Sequence, residues 1–319
     1  MFWPSFLSSF GRREWADDLA RALRRAVNQS ARAHQGEIPT VEAIVHAVQT
    51  FRRRAEFIEG AGVALEGAII HGSRSTVRFT ERPPDAPGCE LGDLLVLTTL
   101  RIPPGFLRVR VCFVQTKGGF TGAQAAKYPG FALSEDQLYL LSVFPEICGT
   151  AGILGGLTLR FPNLSGMLGA YGFFLPRPDE KGDLSVVSAR IVRTASSSGK
   201  SVDFTKLGMI PVLEVPGWPW FVDTWSSAVS CQDITEVANA WTAFSLGELF
   251  DPRGAPGQPL RDLLQGVSAR LPGMSNLKSV LDEAEASDDP SEGRPPPDDR
   301  EGGLGVVHLA ITVKERPRG

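Results

Sequence analysis

The chain has 319 residues, of which 42% are hydrophobic and 22% charged, and its formal net charge is −3. This length is enough for one large domain or two modest ones with a sizeable core. A slightly negative total charge gives no general sign of a nucleic-acid partner, although a local basic face is compatible with it.

Cysteine and histidine are sparse and scattered. The four cysteines form no CxxC pair and do not cluster with the four histidines, so a zinc site is not expected. Unpatterned cysteine in a chain of this length fits a reducing compartment, and we expect a cytoplasmic protein. No apolar run reaches the roughly 18–20 residues that a membrane-spanning helix needs. The aromatic start, MFWPSFLSSF, precedes its basic residues, so we expect it to pack on the body or a partner rather than act as a secretory signal.

The first part of the chain predicts helices. Residues 13–34 carry an apolar stripe at spacings of three and four, which predicts a helix. Thr40 is expected to cap a second helix over about 41–58. A third helix is expected over 59–72, where four glycines lower the helix propensity and suggest close packing against a neighbouring backbone.

Strand signals follow at 75–79, 90–100 and 106–117, and the last of these alternates Leu, Val and Phe with other residues. Ser134 and Gln137 form an S-x-x-Q capping box, so a helix is expected to begin here and to end at Pro145. The expected order is therefore helices, three strands and a helix.

The rest of the chain is less regular. Further strands are expected at 156–161, 171–175, 184–194, 209–215 and 305–313, and helices at 233–250 and 275–285. The acidic, proline-rich stretch at 285–303 predicts a disordered linker. The expected division is N-terminal helices (1–58), a core (59–161), a C-terminal α/β extension (162–284), the linker (285–303) and a terminal strand (304–319).

Three polar residues stand at the ends of two strands that are expected to be neighbours. Asp93 begins one strand, and Gln115 and Lys117 end the next, two residues apart and therefore on one face. A hairpin would bring all three together. A carboxylate and an amide oxygen are ligands that Mg²⁺ prefers, and an ammonium can neutralise a phosphoryl group. This combination predicts metal-assisted phosphodiester hydrolysis.

These residues, in the pattern GD…QTK, resemble the PD-(D/E)XK nuclease superfamily in its QxK variant. The resemblance implies an α/β (α+β) fold with a restriction-endonuclease-like core, in which a helix, three antiparallel strands, a second helix and a further strand form a mixed central sheet flanked by helices. It covers about residues 59–161. By this resemblance Asp93 binds Mg²⁺ or Mn²⁺, Gln115 is the second ligand, and Lys117 is the catalytic lysine. The implied function is a DNA endonuclease of restriction or anti-phage defence.

Two departures and one open choice accompany the resemblance. Gly92 stands where the superfamily usually has proline, and Gln115 replaces the usual acid, which removes one negative charge and lowers metal affinity. Many members add a glutamate from the preceding helix, for which Glu66 is the best placed and Glu59 the alternative. Nucleic-acid contacts are expected from several arginines, namely Arg52, Arg53, Arg54, Arg74, Arg78, Arg108 and Arg110.

Two other interpretations stay open. The chain could be a non-catalytic interaction subunit that keeps the nuclease-like fold, with the acidic linker and the aromatic start as docking elements for a protein partner in a defence complex. An oligomer is compatible with this. A weaker alternative is binding to a membrane surface through the aromatic start.

Overall fold

The computed structural model describes residues 5–71, 76–81, 88–103, 105–120, 130–150, 154–161, 167–177, 181–196, 199–203, 207, 230–253, 257–271, 273–285 and 303–313. The helices are α1 (Ser5–Ser8), α2 (Phe10–Arg32), α3 (Glu37–Gln49), α4 (Glu135–Val143), α5 (Ala189–Ala195), α6 (Ile234–Thr242), α7 (Gln258–Arg270) and α8 (Ser275–Glu285). The strands are β1 (Ala55–Ile58), β2 (Ala61–His71), β3 (Thr76–Phe79), β4 (Cys89–Glu90), β5 (Leu94–Ile102), β6 (Phe106–Gly118), β7 (Gly130–Ala132), β8 (Ile147–Gly149), β9 (Thr158–Leu159), β10 (Gly169–Arg177), β11 (Lys181–Ser188), β12 (Ser201–Asp203), β13 (Ser230–Cys231), β14 (Glu248–Phe250) and β15 (Gly303–Val313).

A mixed central sheet organises the protein. Its strand order is β1-β2-β15-β5-β6-β10-β11-β13, with β14 added to β6. The β5–β6 pair is antiparallel, whereas β15 runs parallel to β5 and β10 runs parallel to β6. The C-terminal strand β15 therefore lies inside the sheet, between β2 and β5. Among the described residues, β4-β3-β8-β9 form a smaller sheet and β7 pairs with β12.

Helices cover both faces of the central sheet. One face packs against α2, α3 and α6, and the other packs against α4, α5, α7 and α8. Neighbouring residues of β5 illustrate the two layers, since Leu95 belongs to one hydrophobic cluster and Leu94 to the other. No helix among the described residues is long and apolar enough to cross a membrane. The protein is thus a mixed α/β structure with a sheet buried on both faces.

The helix expected over 59–72 is wrong, because this segment is strand β2. Glu59 and Gly60 have positive φ angles of 45° and 89° and form the turn between β1 and β2. β2 then pairs along its whole length with β15. Backbone hydrogen bonding across the sheet therefore outweighs the local helix propensity of this segment. Close packing against a neighbouring backbone was nevertheless correctly expected: a Cβ on Gly67 would lie 3.2 Å from the backbone carbonyl oxygen of Val45 in α3.

The second helix also differs from its prediction. α3 begins at Glu37, after Gly36 as N-cap, and it ends at Gln49. Thr40 lies inside the helix and its hydroxyl donates to the Gly36 carbonyl at 2.7 Å, so it does not cap the helix. The last residues of the predicted helix form β1 instead.

Later elements are confirmed in part. The strands expected at 106–117 and 305–313 and the helix at 275–285 are present as β6, β15 and α8. The segments 184–194 and 233–250 each combine a strand with a helix, and α7 was not predicted. The change from β11 to α5 occurs where the Ser188 hydroxyl accepts a hydrogen bond from the backbone N–H of Arg190. The strand expected at 209–215 and the linker over 286–302 lie outside the described residues.

Candidate functional site

Asp93, Gln115 and Lys117 lie at one end of the β5–β6 hairpin. In the antiparallel register Leu94 is opposite Val114, so the start of β5 adjoins the end of β6. The backbone N–H of Asp93 donates to the Val114 carbonyl at 3.0 Å. The sequence predicted this neighbourhood because strand pairing across a short connection brings entry and exit together.

The Asp93 carboxylate is held by β6. Its Oδ2 accepts hydrogen bonds from Gln115 Nε2 at 2.6 Å, from the Thr116 backbone N–H at 2.8 Å and from Thr116 Oγ1 at 2.6 Å. Thr116 lies between Gln115 and Lys117, and at the strand end its hydroxyl reaches this oxygen. These donors orient the carboxylate before any ligand binds.

The carboxamide of Gln115 is in turn held by α4. Gln115 Oε1 accepts a hydrogen bond from Gln137 Nε2, which also lies 3.4 Å from the Glu90 carbonyl. The N-cap of α4 is Ser134, as predicted, and its hydroxyl accepts the Gln137 N–H at 3.5 Å. The Gln137 side chain, expected to complete the capping box, instead orients Gln115.

Glu37 joins this cluster and was not identified from the sequence. It occupies the first turn of α3, and the Phe120 N–H donates to the nearby Gln35 carbonyl at 2.8 Å, which ties the start of α3 to the chain beyond β6. The Glu37 carboxylate lies close to the backbone N–H of Gly118 and in the field of both Lys117 and Asp93. The sequence signal for Glu37 was an acidic residue in the first turn of the helix that precedes the strands. This signal was missed because the segment 59–72 was predicted to be that helix.

Burial and charge oppose each other at the two carboxylates. Burial raises the pKa of Asp93, and hydrogen bonds from Thr116 and the charge of Lys117 act against that rise. Burial also raises the pKa of Glu37, where Lys117 favours the ionised form and Asp93 disfavours it. Asp93 and Glu37 therefore both resist ionisation. A cation bound between the two carboxylates would stabilise their ionised forms.

The donor set consists of oxygen atoms, which suits Mg²⁺ or Mn²⁺. Glu37 and Asp93 offer carboxylates and Gln115 offers a carboxamide oxygen. The described residues contain no group of three or more His, Cys, Asp and Glu side chains placed to hold a metal. Two carboxylates would thus be the principal ligands of a hard, partly hydrated cation, since Gln115 directs its amide nitrogen at Asp93 and its oxygen at Gln137.

The glutamates proposed as further ligands lie elsewhere. Glu66 sits on β2, two strands from β5, and the register aligns it with His308 and Leu97 rather than with Asp93. Its Oε1 accepts hydrogen bonds from the Asn276 N–H at 3.1 Å and Nδ2 at 2.7 Å. Glu59 lies in the β1–β2 turn and accepts a hydrogen bond from the Gly11 N–H at 2.9 Å. Neither residue belongs to the Asp93 cluster, because the expected helix is instead a turn that carries Glu59 and a strand that carries Glu66.

Glu66 forms a separate buried network that predicts a pH dependence of stability. Burial opposes ionisation of Glu66, but hydrogen bonds from His308 (3.2 Å to Nδ1) and Asn276 outweigh it and lower the pKa of Glu66 to about 2. Because this pKa lies below the unfolded-state value, the ionised side chain stabilises the fold above about pH 5, and the stabilisation is lost as pH falls towards 2.

We therefore expect Glu66→Gln to destabilise the protein at pH 7 by about 1–2 kcal/mol, since the charged hydrogen bonds become neutral ones. Urea unfolding at pH 7 and at pH 3 measures the difference. The gap between variant and wild type should shrink on acidification, and a gap that widened at pH 3 would contradict this account.

Two of the arginines expected to contact nucleic acid lie far from the cluster. Arg110 is fully buried, and its Nη1 donates to the Gly247 carbonyl at 2.6 Å, so its expected contact with nucleic acid is wrong. Arg108 pairs with Asp251 at 2.7 Å. It stands nine residues before Lys117 on the same strand, about 30 Å away.

The arginines at 52–54 follow α3. Arg53 is held in ion pairs with Asp18 and Glu56, each at 2.6 Å. Arg54 is exposed and donates to the Gln49 carbonyl at 3.0 Å, and Arg52 is exposed. Arg78 is exposed on β3, and Arg74 lies outside the described residues. Arg108 and Arg110 on β6, and Arg53 after α3, are therefore engaged within the fold. Arg52, Arg54 and Arg78 remain at the surface.

The described structure is a mixed α/β protein with an acid, amide and lysine cluster at one end of its central sheet. Comparison of the chain with protein-family models, with curated proteins and with solved structures finds no match.

Proposed function

We propose that this protein is a metal-dependent nuclease that hydrolyses phosphodiester bonds, most simply a DNA endonuclease of restriction or anti-phage defence. The observation that carries the proposal is the contact between Asp93 and Gln115 at the strand end that also bears Lys117. Glu37, from a different element, adds a second carboxylate to the same cluster. Convergence of these groups from three parts of the chain is what a catalytic site requires.

The order of elements supports the resemblance to the PD-(D/E)XK superfamily. β5 and β6 are antiparallel, and the chain then passes through α4 to β10, which is parallel to β6. Helix α3 precedes these strands and supplies Glu37, the role expected earlier of Glu66. One departure is that β15 occupies the position beside β5 where the resemblance would put an antiparallel strand.

Each side chain has a distinct role in the proposed reaction. Asp93 and Glu37 would hold the cation, and Gln115 can add its carboxamide oxygen, because a carbonyl has a second lone pair beyond the one directed at Gln137. A cation bound there would lower the pKa of a water and stabilise charge on phosphate oxygens. As water attacks phosphorus it would lose a proton to solvent, and the leaving oxygen would take up a proton from solvent as its bond to phosphorus breaks. Lys117 would offset the negative charge that develops on the phosphoryl oxygens.

Cleavage of supercoiled plasmid in Mg²⁺ tests the proposal. The wild type is expected to nick or linearise the plasmid in Mg²⁺ and not in EDTA. Asp93→Asn keeps an oxygen to accept the Thr116 hydrogen bonds but loses a charged ligand, so we expect at least a hundredfold lower rate. Calorimetry should find weaker Mg²⁺ binding for both Asp93→Asn and Glu37→Gln.

Asp17→Asn is the matched control, because Asp17 is exposed on α2 and carries the same change. A control that lost as much activity as Asp93→Asn would contradict the assignment. So would magnesium-dependent cleavage that Asp93→Asn left undiminished.

A non-catalytic interaction subunit is the second candidate. Two observations favour it: Gln115 stands where a third acid would strengthen metal binding, and one oxygen of Asp93 is already occupied by three donors. This alternative predicts no heat of Mg²⁺ binding and a stable complex with a protein partner on purification.

A further inference from the structure

A groove runs between α2 and α3 on the surface that faces away from the sheet. It has a volume of about 970 Å³ and extends along α2 from Asp18 to Ala33, a distance of about 22 Å at 1.5 Å per residue. One end is bounded by Arg52 and Arg53 and the other by Gln35. The groove is separate from the Asp93 cluster but ends beside it.

The charges along this groove are mostly positive. Its lining contains Arg21, Arg25, Arg52 and Arg53 against Asp18 and Glu42, a net charge of +2 with His46 counted as neutral. Asp18 is already engaged by Arg21 and Arg53.

Arg25 and Arg52 are exposed, and neither makes a hydrogen bond or ion pair with the described residues. They are therefore free to bind an anion. Both lie in the groove of a chain whose total charge is negative.

The floor of the groove is made of small side chains, with one unsatisfied hydroxyl beneath them. Ala22, Ala26, Ala43 and Ala47 leave the space between the helices open. Ser30 also lines the groove, is fully buried, and its Oγ has no hydrogen-bond partner. This hydroxyl is sealed beneath the floor, so the groove presents alanine side chains and guanidinium groups to a ligand.

The far end of the groove connects it to the proposed catalytic site. The carbonyl of Gln35 accepts the N–H of Phe120, and Glu37 follows two residues later. A chain of phosphates that lay along the groove would leave it next to the Glu37 carboxylate.

We propose that the α2–α3 groove binds one sugar–phosphate strand of nucleic acid, with Arg25 and Arg52 as the phosphate contacts. This assignment rests on the proposed function, whose substrate it describes. Adjacent packed helices lie only about 8–10 Å apart, so the groove admits a single backbone rather than a whole duplex. Arginine contacts to phosphate position a strand without reading its bases, so binding is independent of sequence.

Fluorescence anisotropy with a 20-nucleotide single-stranded DNA, in EDTA, tests the groove without cleavage. Each phosphate contact contributes about 0.7 to the salt slope for a single strand. Arg25→Gln/Arg52→Gln should therefore lower the slope by about 1.4 and weaken binding by about 25-fold at 0.1 M salt. Arg13→Gln/Arg160→Gln, two exposed arginines outside the groove, is the matched control and should bind as the wild type.

A second variant separates shape from charge. Ala43→Leu fills the floor with a good helix former and leaves every charge in place. It should weaken binding while the salt slope stays unchanged. Binding by both groove variants that equalled the wild type would overturn the groove assignment, as would equal loss in the control variant.

The same assay distinguishes this inference from the proposed function. Lys117→Met should retain strand binding, and a wild type that binds but never cuts would remove the nuclease proposal alone. A protein that cuts DNA while the groove variants bind normally would remove the groove proposal alone. Displacement of the strand by a poly-glutamate peptide at equal charge concentration would overturn the nucleic-acid assignment in favour of an acidic protein partner.

Discussion

Replacement of Lys117 by methionine is expected to lower the rate of plasmid cleavage by about 10²–10³-fold. Lys117 ends β6 half-buried, two residues after Gln115, and its charge acts on both Asp93 and Glu37. Methionine keeps most of the apolar stem and removes only the ammonium. The loss should therefore appear in the chemical step, and single-turnover cleavage in Mg²⁺ measures it.

Two comparisons make this result specific. Lys278→Met changes an exposed lysine on α8 and should cleave as the wild type. Lys117→Met should also unfold at a temperature close to that of the wild type, because the side chain is not part of the core. Undiminished cleavage by the Lys117 variant would refute its catalytic role.

Arg110→Ala is expected to destabilise the protein by about 3–5 kcal/mol, the typical loss when one member of a buried charge pair is removed. Arg110 is fully buried on β6, with its guanidinium 5.3 Å from the Phe244 ring centroid and in the field of the buried Glu248. Burial lowers the pKa of Arg110 to about 10, and the charge of Glu248 acts against that fall. Without Arg110, the Gly247 carbonyl loses a donor and Glu248 loses a nearby cation.

Arg108→Ala is the matched control, two residues earlier on the same face of β6. Arg108 and its partner Asp251 are partly exposed, so this change should cost about 1 kcal/mol or less. Addition of Glu248→Gln to Arg110→Ala should recover part of the lost unfolding free energy, because it removes the buried carboxylate charge that Arg110 no longer balances. Equal unfolding free energies for the two arginine variants in urea would contradict this account.

The candidate site was predictable to the extent that it depends on neighbouring strands. The alternation of β6 and the position of Asp93 were enough to predict that Asp93, Gln115 and Lys117 would meet. Ser134 as the cap of α4 was predictable for the same reason, since capping depends on a few residues in sequence. Thr116 and Gln137 were missed because their roles depend on where a strand ends and how a helix packs on it.

Glu37 could not be assigned without the three-dimensional structure, because its approach to Lys117 depends on the contact between Gln35 and Phe120, 85 residues apart in the chain. The same holds for β2, whose small residues locally favour a helix. The segment is a strand because it pairs with β15, which comes from the far end of the chain.

By itself, the sequence determined helices such as α2 and α4 and the hairpin that carries three polar groups, because periodicity, capping and strand pairing act over short separations. Only the tertiary structure decided which helix supplies the second carboxylate, which arginines are buried, and where the last strand enters the sheet. Those outcomes depend on contacts between residues distant in sequence, and backbone pairing and burial in the assembled sheet override local propensity.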